Sequence, residues 1–448
     1  MKLISQFTNN YNNIVYSIYE LKNGIKLVHL QNPTDIDFNF SITVRAGSVY
    51  ELKEGVPVGT SHFLEHMLFN PNSYYETKQS INRFEEGSKD MPKISINATT
   101  TKKNIYFSGG SNSKAKFKVI ERVANLIDFP SKKFSNYIEK DRAVILAERS
   151  RRPKKGKDPN IAYQKFISGK EVGEFTNSIL GESEDIQKIC VNDLFKYFSS
   201  RFTTGNVIFS IQEKNKLDEK TENLLEEISQ RFKKGEGDNF RKYKLENSLE
   251  FGAFKDDTAN GVFVSFNYFS EQEDKINYRE DVINDIAFNI IRKWGFDNLR
   301  EKKGLVYEFK TFYLNGMSYY HCINGIKFVT EDSKLEEMIK SFKKMIEIDI
   351  FKYLKTKSGR ASFEDVLSTF IYPRNKGYDE WLAEDCTSTL FESGEIFDEN
   401  KYIEEGKKVE LEDIVNFLKK QFSTPPHIWI ESAHEEEKII ERVKKYWK

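Results

Sequence analysis

Two histidines and a glutamate stand close together in the sequence, at His62, Glu65 and His66. On an α-helix, residues four apart differ by about 40° of rotation, so both imidazoles would leave the same face. Two neutral imidazole nitrogens one turn apart suit a zinc ion, and Glu65 can reach a water bound to that ion. A carboxylate base can then take the proton of the water as it attacks a carbonyl carbon. The motif predicts metal-assisted hydrolysis on a helix whose N-cap is Thr60 or Ser61.

The alternative interpretation is a pair of core or surface histidines on an apolar helix. The chain of 448 residues contains six histidines. With that composition, an HxxEH arrangement is expected by chance in on the order of one per cent of such chains. This rarity favours a metal site.

The order His-x-x-Glu-His is the signature of the inverzincins. Around it, the chain resembles the pitrilysin/insulinase family of zinc peptidases, which includes the mitochondrial processing peptidases. The resemblance rests on five segments: RAGSVYE (45–51), GTSHFLEHMLF, INATTTKKNIYF, SILGESEDI (178–186) and LREKKGLVYEF (299–309). It implies a zinc-dependent endopeptidase with one Zn²⁺ per chain, ligated by His62 and His66, with Glu65 as the base.

The family also supplies a third ligand from a Glu-x6-Glu pair on a downstream helix. The matching text here is DRAVILAE, from Asp141 to Glu148. Seven helical residues return to within about 20° of the same direction, whereas Glu139 points away. The resemblance implies Glu148 as the ligand and Asp141 as a residue that supports a ligating histidine. Asp141 is one methylene shorter than the family's glutamate, and an insertion at 87–94 accounts for the long spacing. Without the resemblance, both carboxylates would be assigned to a solvated helix face.

Two further pairs of residues are implied to bind substrate. Asn97 and Ala98 match the family's edge strand, onto which a peptide adds as an extra strand. Arg300 and Tyr307 match a pair in the second half of the family fold. Tyr307 would donate to the developing oxyanion and Arg300 would hold the substrate backbone. One helix would place this pair on one face, unless Gly304 ends the helix; without the resemblance, structural roles are the alternative.

The pattern of elements predicts an α+β fold of two similar α/β sandwich domains. In each half an alternating strand leads into an apolar helix: FNFSITVRAGS (38–48) before HFLEHMLF, and GVFVSFNYF (261–269) before VINDIAFNIIRKWG. We predict an N-terminal zinc-binding catalytic domain at 1–232, a charged linker at 233–246 and a C-terminal domain at 247–448 that carries Arg300 and Tyr307. The resemblance implies that together they form one half of a clamshell.

Composition limits the other functions. Lys and Arg total 69, as do Asp and Glu, so no net charge attracts nucleic acid or an anionic membrane. Cys190, Cys322 and Cys386 are far apart and odd in number, which indicates a reducing compartment. With no secretory signal and no apolar run of about 18 residues, we expect a cytoplasmic protein without a membrane span.

The predicted activity is endopeptidase cleavage of short or unfolded peptides in an enclosed chamber, including removal of a leader from a precursor. A half-sized chain needs a facing half from another chain, so we predict a homodimer in which Arg300 and Tyr307 of one subunit complete the zinc site of the other. A heterodimer with a sister subunit is the competing assembly. The competing function is that of a noncatalytic subunit of the same fold.

Overall fold

The computed structural model describes residues 1–153, 156–168, 176–238, 248–270, 275–314, 322–372 and 382–447. These residues form two compact units, each with one sheet packed with helices. The first unit draws on Met1–Lys157, Gly173–Arg241 and Asn375–Phe397; the second draws on Asp158–Val172, Lys242–Arg374 and Asp398–Lys448. The predicted α+β class is confirmed.

The first sheet has the strand order β1-β2-β3-β7-β4-β6-β5. Its strands are β1 Lys2–Thr8, β2 Val15–Glu20, β3 Lys26–Gln31, β4 Asp37–Val44, β5 Ser95–Thr100, β6 Ile105–Asn112 and β7 Val207–Glu213. All pairs are antiparallel except β3 with β7. The central strand β7 is buried throughout, whereas the edge strand β5 alternates exposed and half-buried residues because its successive side chains point to opposite faces of the sheet.

The second sheet has the order β10-β11-β9-β12-β8. Its strands are β8 Glu250–Lys255, β9 Val262–Ser270, β10 Glu308–Leu314, β11 Cys322–Thr330 and β12 His427–Ser432. The pairing is antiparallel except between β12 and β8. Phe266 of β9 lies at the centre of the core, with its ring 4.3 Å from Phe342 and 4.7 Å from Trp447.

Helices cover the sheets. In chain order they are α1 Thr60–Leu68, α2 Lys78–Glu85, α3 Lys116–Ala124, α4 Ser131–Phe134, α5 Ile138–Ser150, α6 Pro159–Ser168, α7 Ser183–Lys188, α8 Val191–Arg201, α9 Glu219–Ser229, α10 Tyr278–Gly295, α11 Leu335–Lys344, α12 Ile350–Leu354, α13 Lys357–Ile371, α14 Leu382–Ser393, α15 Glu399–Gly406, α16 Leu411–Ser423 and α17 Glu436–Trp447. A π-helical stretch, Phe296–Lys302, continues α10, and another, Met345–Asp349, joins α11 to α12. No helix in the described ranges has both the length and the apolar composition needed to cross a membrane.

Two helices pack on a sheet far from them in sequence. Helix α6 contacts β8 and β12 of the second unit, where Phe166 lies 5.4 Å from Trp429 between ring centroids. Helix α14 contacts β3, β4 and β7 of the first unit, where Leu390 joins the buried apolar side chains. Each packing unit therefore contains residues from both predicted domain ranges. The division into domains at those ranges stays a prediction. Most of the predicted linker, 239–246, lies outside the described residues, and helix α9 occupies part of the charged segment before it.

Candidate active site

Helix α1 carries the HxxEH motif and separates its polar from its apolar residues. Phe63, Leu64 and Met67 are fully buried, whereas the motif residues lie on the more exposed face. The predicted N-cap at Thr60 or Ser61 is wrong, because both residues lie inside the first turn and Gly59 is the N-cap. Gly59 has a φ of 92°, a conformation that only glycine adopts without strain.

The first turn of α1 is held by Glu51, which sequence reasoning did not single out. Its carboxylate is fully buried and accepts three hydrogen bonds: from Gly59 N at 2.9 Å, from Ser61 N at 2.7 Å and from Ser61 Oγ at 2.6 Å. These donors would otherwise be unpaired at a helix start, where a negative charge is also favourable. Burial raises the pKa of Glu51 to about 7, against the opposing effect of these hydrogen bonds.

The structure brings together His62, His66 and Glu148, the three residues that the resemblance implies as zinc ligands. Glu148 Oε2 lies 3.8 Å from the Nε2 atom of each histidine, and one candidate ligand atom from each residue lies within 4.8 Å of the others. Ligands at 2.0–2.1 Å in a tetrahedral site are about 3.3 Å apart, so each Glu148–histidine pair is about 0.5 Å from that spacing. Two imidazoles and one carboxylate are the donor set of a catalytic zinc site with an open position. The residues present therefore fit the ion.

The electrostatics of His62 favour metal binding. Burial, together with the charges of His66 and Arg152, lowers the pKa of His62 to about 4. The imidazole is therefore neutral near pH 7, and no proton has to leave before the nitrogen lone pair can bind a cation. Arg152 lies four residues after Glu148, beyond the end of α5, and is exposed; no sequence motif singles it out.

Glu65 is joined to the edge strand β5. Thr100, the last residue of that strand, donates a hydrogen bond from Oγ1 to Glu65 Oε2 at 2.5 Å. Burial raises the pKa of Glu65, and the Thr100 hydrogen bond opposes that rise. Such a raised pKa suits a carboxylate that accepts and later returns a proton. Thr100 belongs to the INATT segment but was not predicted as a site residue.

Asn97 and Ala98 lie on the same strand β5. Asn97 is exposed and Ala98 is half-buried. Their only partner strand in the described sheet is β6, through the pairs Asn97↔Ser108 and Ala98↔Phe107. The other edge of β5 is therefore open in the sheet, as strand addition by a peptide requires. Contact of these two residues with substrate stays a prediction.

Asp141 is buried, and its described hydrogen bond is to Asn70 rather than to a histidine. Asn70, which follows α1 closely, donates from Nδ2 to Asp141 Oδ2 and also from Nδ2 to Met67 O at 3.3 Å. Burial raises the pKa of Asp141, and the Asn70 hydrogen bond opposes the rise. Asp141 thus ties α5 to the end of α1. Support of a ligating histidine by Asp141 stays a prediction.

Arg300 and Tyr307 lie in the second unit and not on one helix. The helical stretch ends at Lys302, and Gly304 has a φ of 60°, so Tyr307 lies in the segment that leads into β10. Arg300 lies over the Phe296 ring at 4.8 Å, and Tyr307 donates to Glu331 Oε1 at 3.0 Å. The alternative in which the helix ends at Gly304 is therefore the one observed, and the pair shares no helical face. Both side chains are substantially exposed, at 45% and 61%, and their contact with substrate stays a prediction.

Two family descriptions match parts of this chain. Residues 26–161 match the family described as "Insulinase (Peptidase family M16)", and residues 188–347 match "Peptidase M16 inactive domain". The chain belongs to peptidase family M16. The first match contains all four candidate residues: His62, Glu65, His66 and Glu148. The candidate site of this M16 chain therefore lies outside the part described as inactive.

Similar sequences include an uncharacterized zinc protease of Rickettsia felis, 24% identical over 91% of this M16 chain and 95% of the relative. The β subunit of the mitochondrial processing peptidase of Neurospora crassa is 26% identical over 42% of this chain and 38% of that protein.

Similar structures include the first half of the periplasmic protease PqqL of Escherichia coli, with a TM-score of 0.74 and 12% identity over 99% of this chain and 95% of that one. Against the whole of PqqL the TM-score is 0.77, and the match covers 51% of that protein. These likenesses confirm the fold of two mixed sheets packed with helices.

Proposed function

We propose that this M16 chain is a zinc-dependent endopeptidase that hydrolyses short or unfolded peptides. The observation that carries the proposal is the convergence of His62, His66 and Glu148, with ligand atoms within 4.8 Å of one another. Glu65, on the same face of α1 as the two histidines, supplies a carboxylate whose pKa is raised. The name of the Rickettsia relative, a zinc protease, supports the choice of metal.

The chemistry follows from these side chains. When bound by His62, His66 and Glu148, zinc supplies Lewis acidity and lowers the pKa of a coordinated water. Glu65 takes the proton of the attacking water at a carboxylate oxygen. The hydroxyl of Thr100 donates a hydrogen bond to Oε2 and favours the ionised carboxylate. Asn97 and Ala98 bind the peptide along the open edge of β5. Glu65 then returns the proton to the leaving amine.

Metal removal tests the activity. The purified chain is dialysed against a chelator and assayed on an unstructured fluorogenic peptide, before and after zinc is restored. We expect cleavage to disappear with the metal and return with about one zinc per chain. His62→Ala serves as the matched variant, because it removes one ligand and should not recover activity at the same zinc concentration. Cleavage that survives chelation with no metal left would refute the proposal.

We further propose that the working form is a homodimer in which Arg300 and Tyr307 of one subunit serve the zinc site of the other. The match of this chain to half of PqqL supports a facing half supplied by a second chain. A mixture of His62→Ala chains and Tyr307→Phe chains should be more active than either variant alone. In a mixed dimer, one of the two sites combines the intact ligands of one chain with the intact Tyr307 of the other. Full activity of a protein that light scattering shows to be monomeric would exclude this assembly. Leader removal and a cytoplasmic location remain predictions.

A noncatalytic or partner-dependent subunit of a heterodimeric peptidase is the second candidate. The similarity to the β subunit of the mitochondrial processing peptidase favours a sister chain. A noncatalytic role is opposed by the presence of the complete ligand set and of Glu65. A chain that holds zinc but cleaves no peptide until a sister subunit is added would favour the heterodimer.

A further inference from the structure

The two helices that supply the candidate ligands are both in contact with one short segment, Leu180–Gly181–Glu182. Helix α1 carries His62 and His66, and helix α5 carries Glu148. The segment precedes α7 and is remote from both helices in sequence. Its contacts with the two helices are of different kinds.

The contact with α1 is made by backbone. A Cβ atom added to Gly181 would lie 2.5 Å from Val58 O, and one added to Gly59 would lie 2.4 Å from Leu180 O. Gly181 also has a φ of 77°. Two glycines therefore let the backbone of the segment lie directly against the start of α1, with no side chain between them.

The contact with α5 is a buried ion pair. Arg149 Nη2 donates to Glu182 Oε2 at 2.6 Å, and the Arg149 side chain is only 8% exposed. Arg149 Nη1 also donates to Pro153 O at 2.8 Å, which fixes the guanidinium from its other side. Arg149 is the next residue after Glu148, so its position is coupled to that of the third ligand.

We infer that Glu182 is a positioning residue that, with Gly181, sets the distance between Glu148 and the two histidines and thereby sets the affinity for zinc. This inference rests on the proposed function. Glu148 Oε2 is already 3.8 Å from each histidine nitrogen, about 0.5 Å more than the ligand spacing of a tetrahedral site. A shift of either helix would remove this preorganisation, and groups behind the ligands commonly change metal affinity by about 10- to 100-fold.

The test compares Glu182→Ala with Glu184→Ala, a matched control two residues away whose side chain is exposed. The zinc dissociation constant of each is measured by competition with a chromophoric chelator. We expect Glu182→Ala to bind zinc about tenfold or more weakly than the wild type, and Glu184→Ala to match the wild type. Equal zinc affinity in all three proteins would overturn the inference.

Amide hydrogen exchange of the zinc-free proteins separates this inference from the proposed function. We expect Glu182→Ala to accelerate exchange in the last turns of α5 and the first turn of α1, with the second sheet unchanged. Exchange that rises uniformly along the chain, or not at all, would overturn the positioning role. If the wild type binds no zinc, the proposed function fails, whereas the exchange result still decides whether the segment holds the two helices.

Discussion

Replacement of Glu51 by Gln tests how the metal-binding helix is held. The carboxylate accepts one hydrogen bond from Gly59 and two from Ser61 while fully buried. Glutamine keeps one oxygen that can accept from Ser61, but it presents an NH₂ group to the Gly59 N–H. One hydrogen bond is lost and one buried donor faces another, and removal of the buried charge offsets part of that cost, so we expect a net loss of about 1–2 kcal/mol in the free energy of unfolding. The assay is urea unfolding of the zinc-free chain at about pH 8, above the Glu51 pKa of about 7.

The control for this prediction is Glu76→Gln, which removes the same charge from an exposed side chain. We expect that variant to change the free energy of unfolding by less than about 0.5 kcal/mol. If Glu51→Gln is no more destabilising than Glu76→Gln, the carboxylate does not hold the start of α1.

Three other predictions concern acid stability, the second core and catalysis. Burial raises the pKa of Asp218, but hydrogen bonds led by that from Lys116 outweigh it and hold the pKa at about 2, below the ordinary 3.8. Asp218 therefore contributes stability above pH 3.8 that is lost as the pH falls toward 2. Asp218→Asn should make the melting temperature less dependent on pH between pH 3.8 and pH 2. Phe266→Ala should lower the free energy of unfolding by about 3–5 kcal/mol in urea, because the ring is fully buried in the second core. If Tyr307 donates to the oxyanion, Tyr307→Phe should lower kcat by about 100-fold with little change in KM; an unchanged kcat in steady-state assays would exclude that role.

The sequence predicted those parts of the fold and site that depend on local spacing. The alternation of Phe38, Phe40, Ile42 and Val44 gives a strand with one fully buried face, and these four side chains are buried in β4. The four-residue spacing of the histidines likewise places both on one face of α1. In these cases the period of the element alone determines which side chains point together.

Contacts between distant segments were not predictable in the same way. Glu51 pairs with a helix that starts nine residues later, and no capping rule for adjacent residues finds it. The Arg149–Glu182 ion pair joins residues 33 apart, and either charge alone is typical of a solvated surface. The packing of α14 on the first sheet depends on which apolar surface of that sheet the other helices leave uncovered. Such partners are set by tertiary packing, about which local periodicity carries no information.

The most direct test of the central claim is cleavage of an unstructured fluorogenic peptide by the wild type and by Glu65→Gln, with zinc content measured on both. Glu65 is not a ligand in this account, so both proteins should hold about one zinc per chain. The wild type should cleave the peptide, and the variant should be slower by about 10²- to 10⁴-fold, the usual contribution of a general base. Cleavage by Glu65→Gln at the wild-type rate, or an active wild type that binds no zinc, would contradict the account.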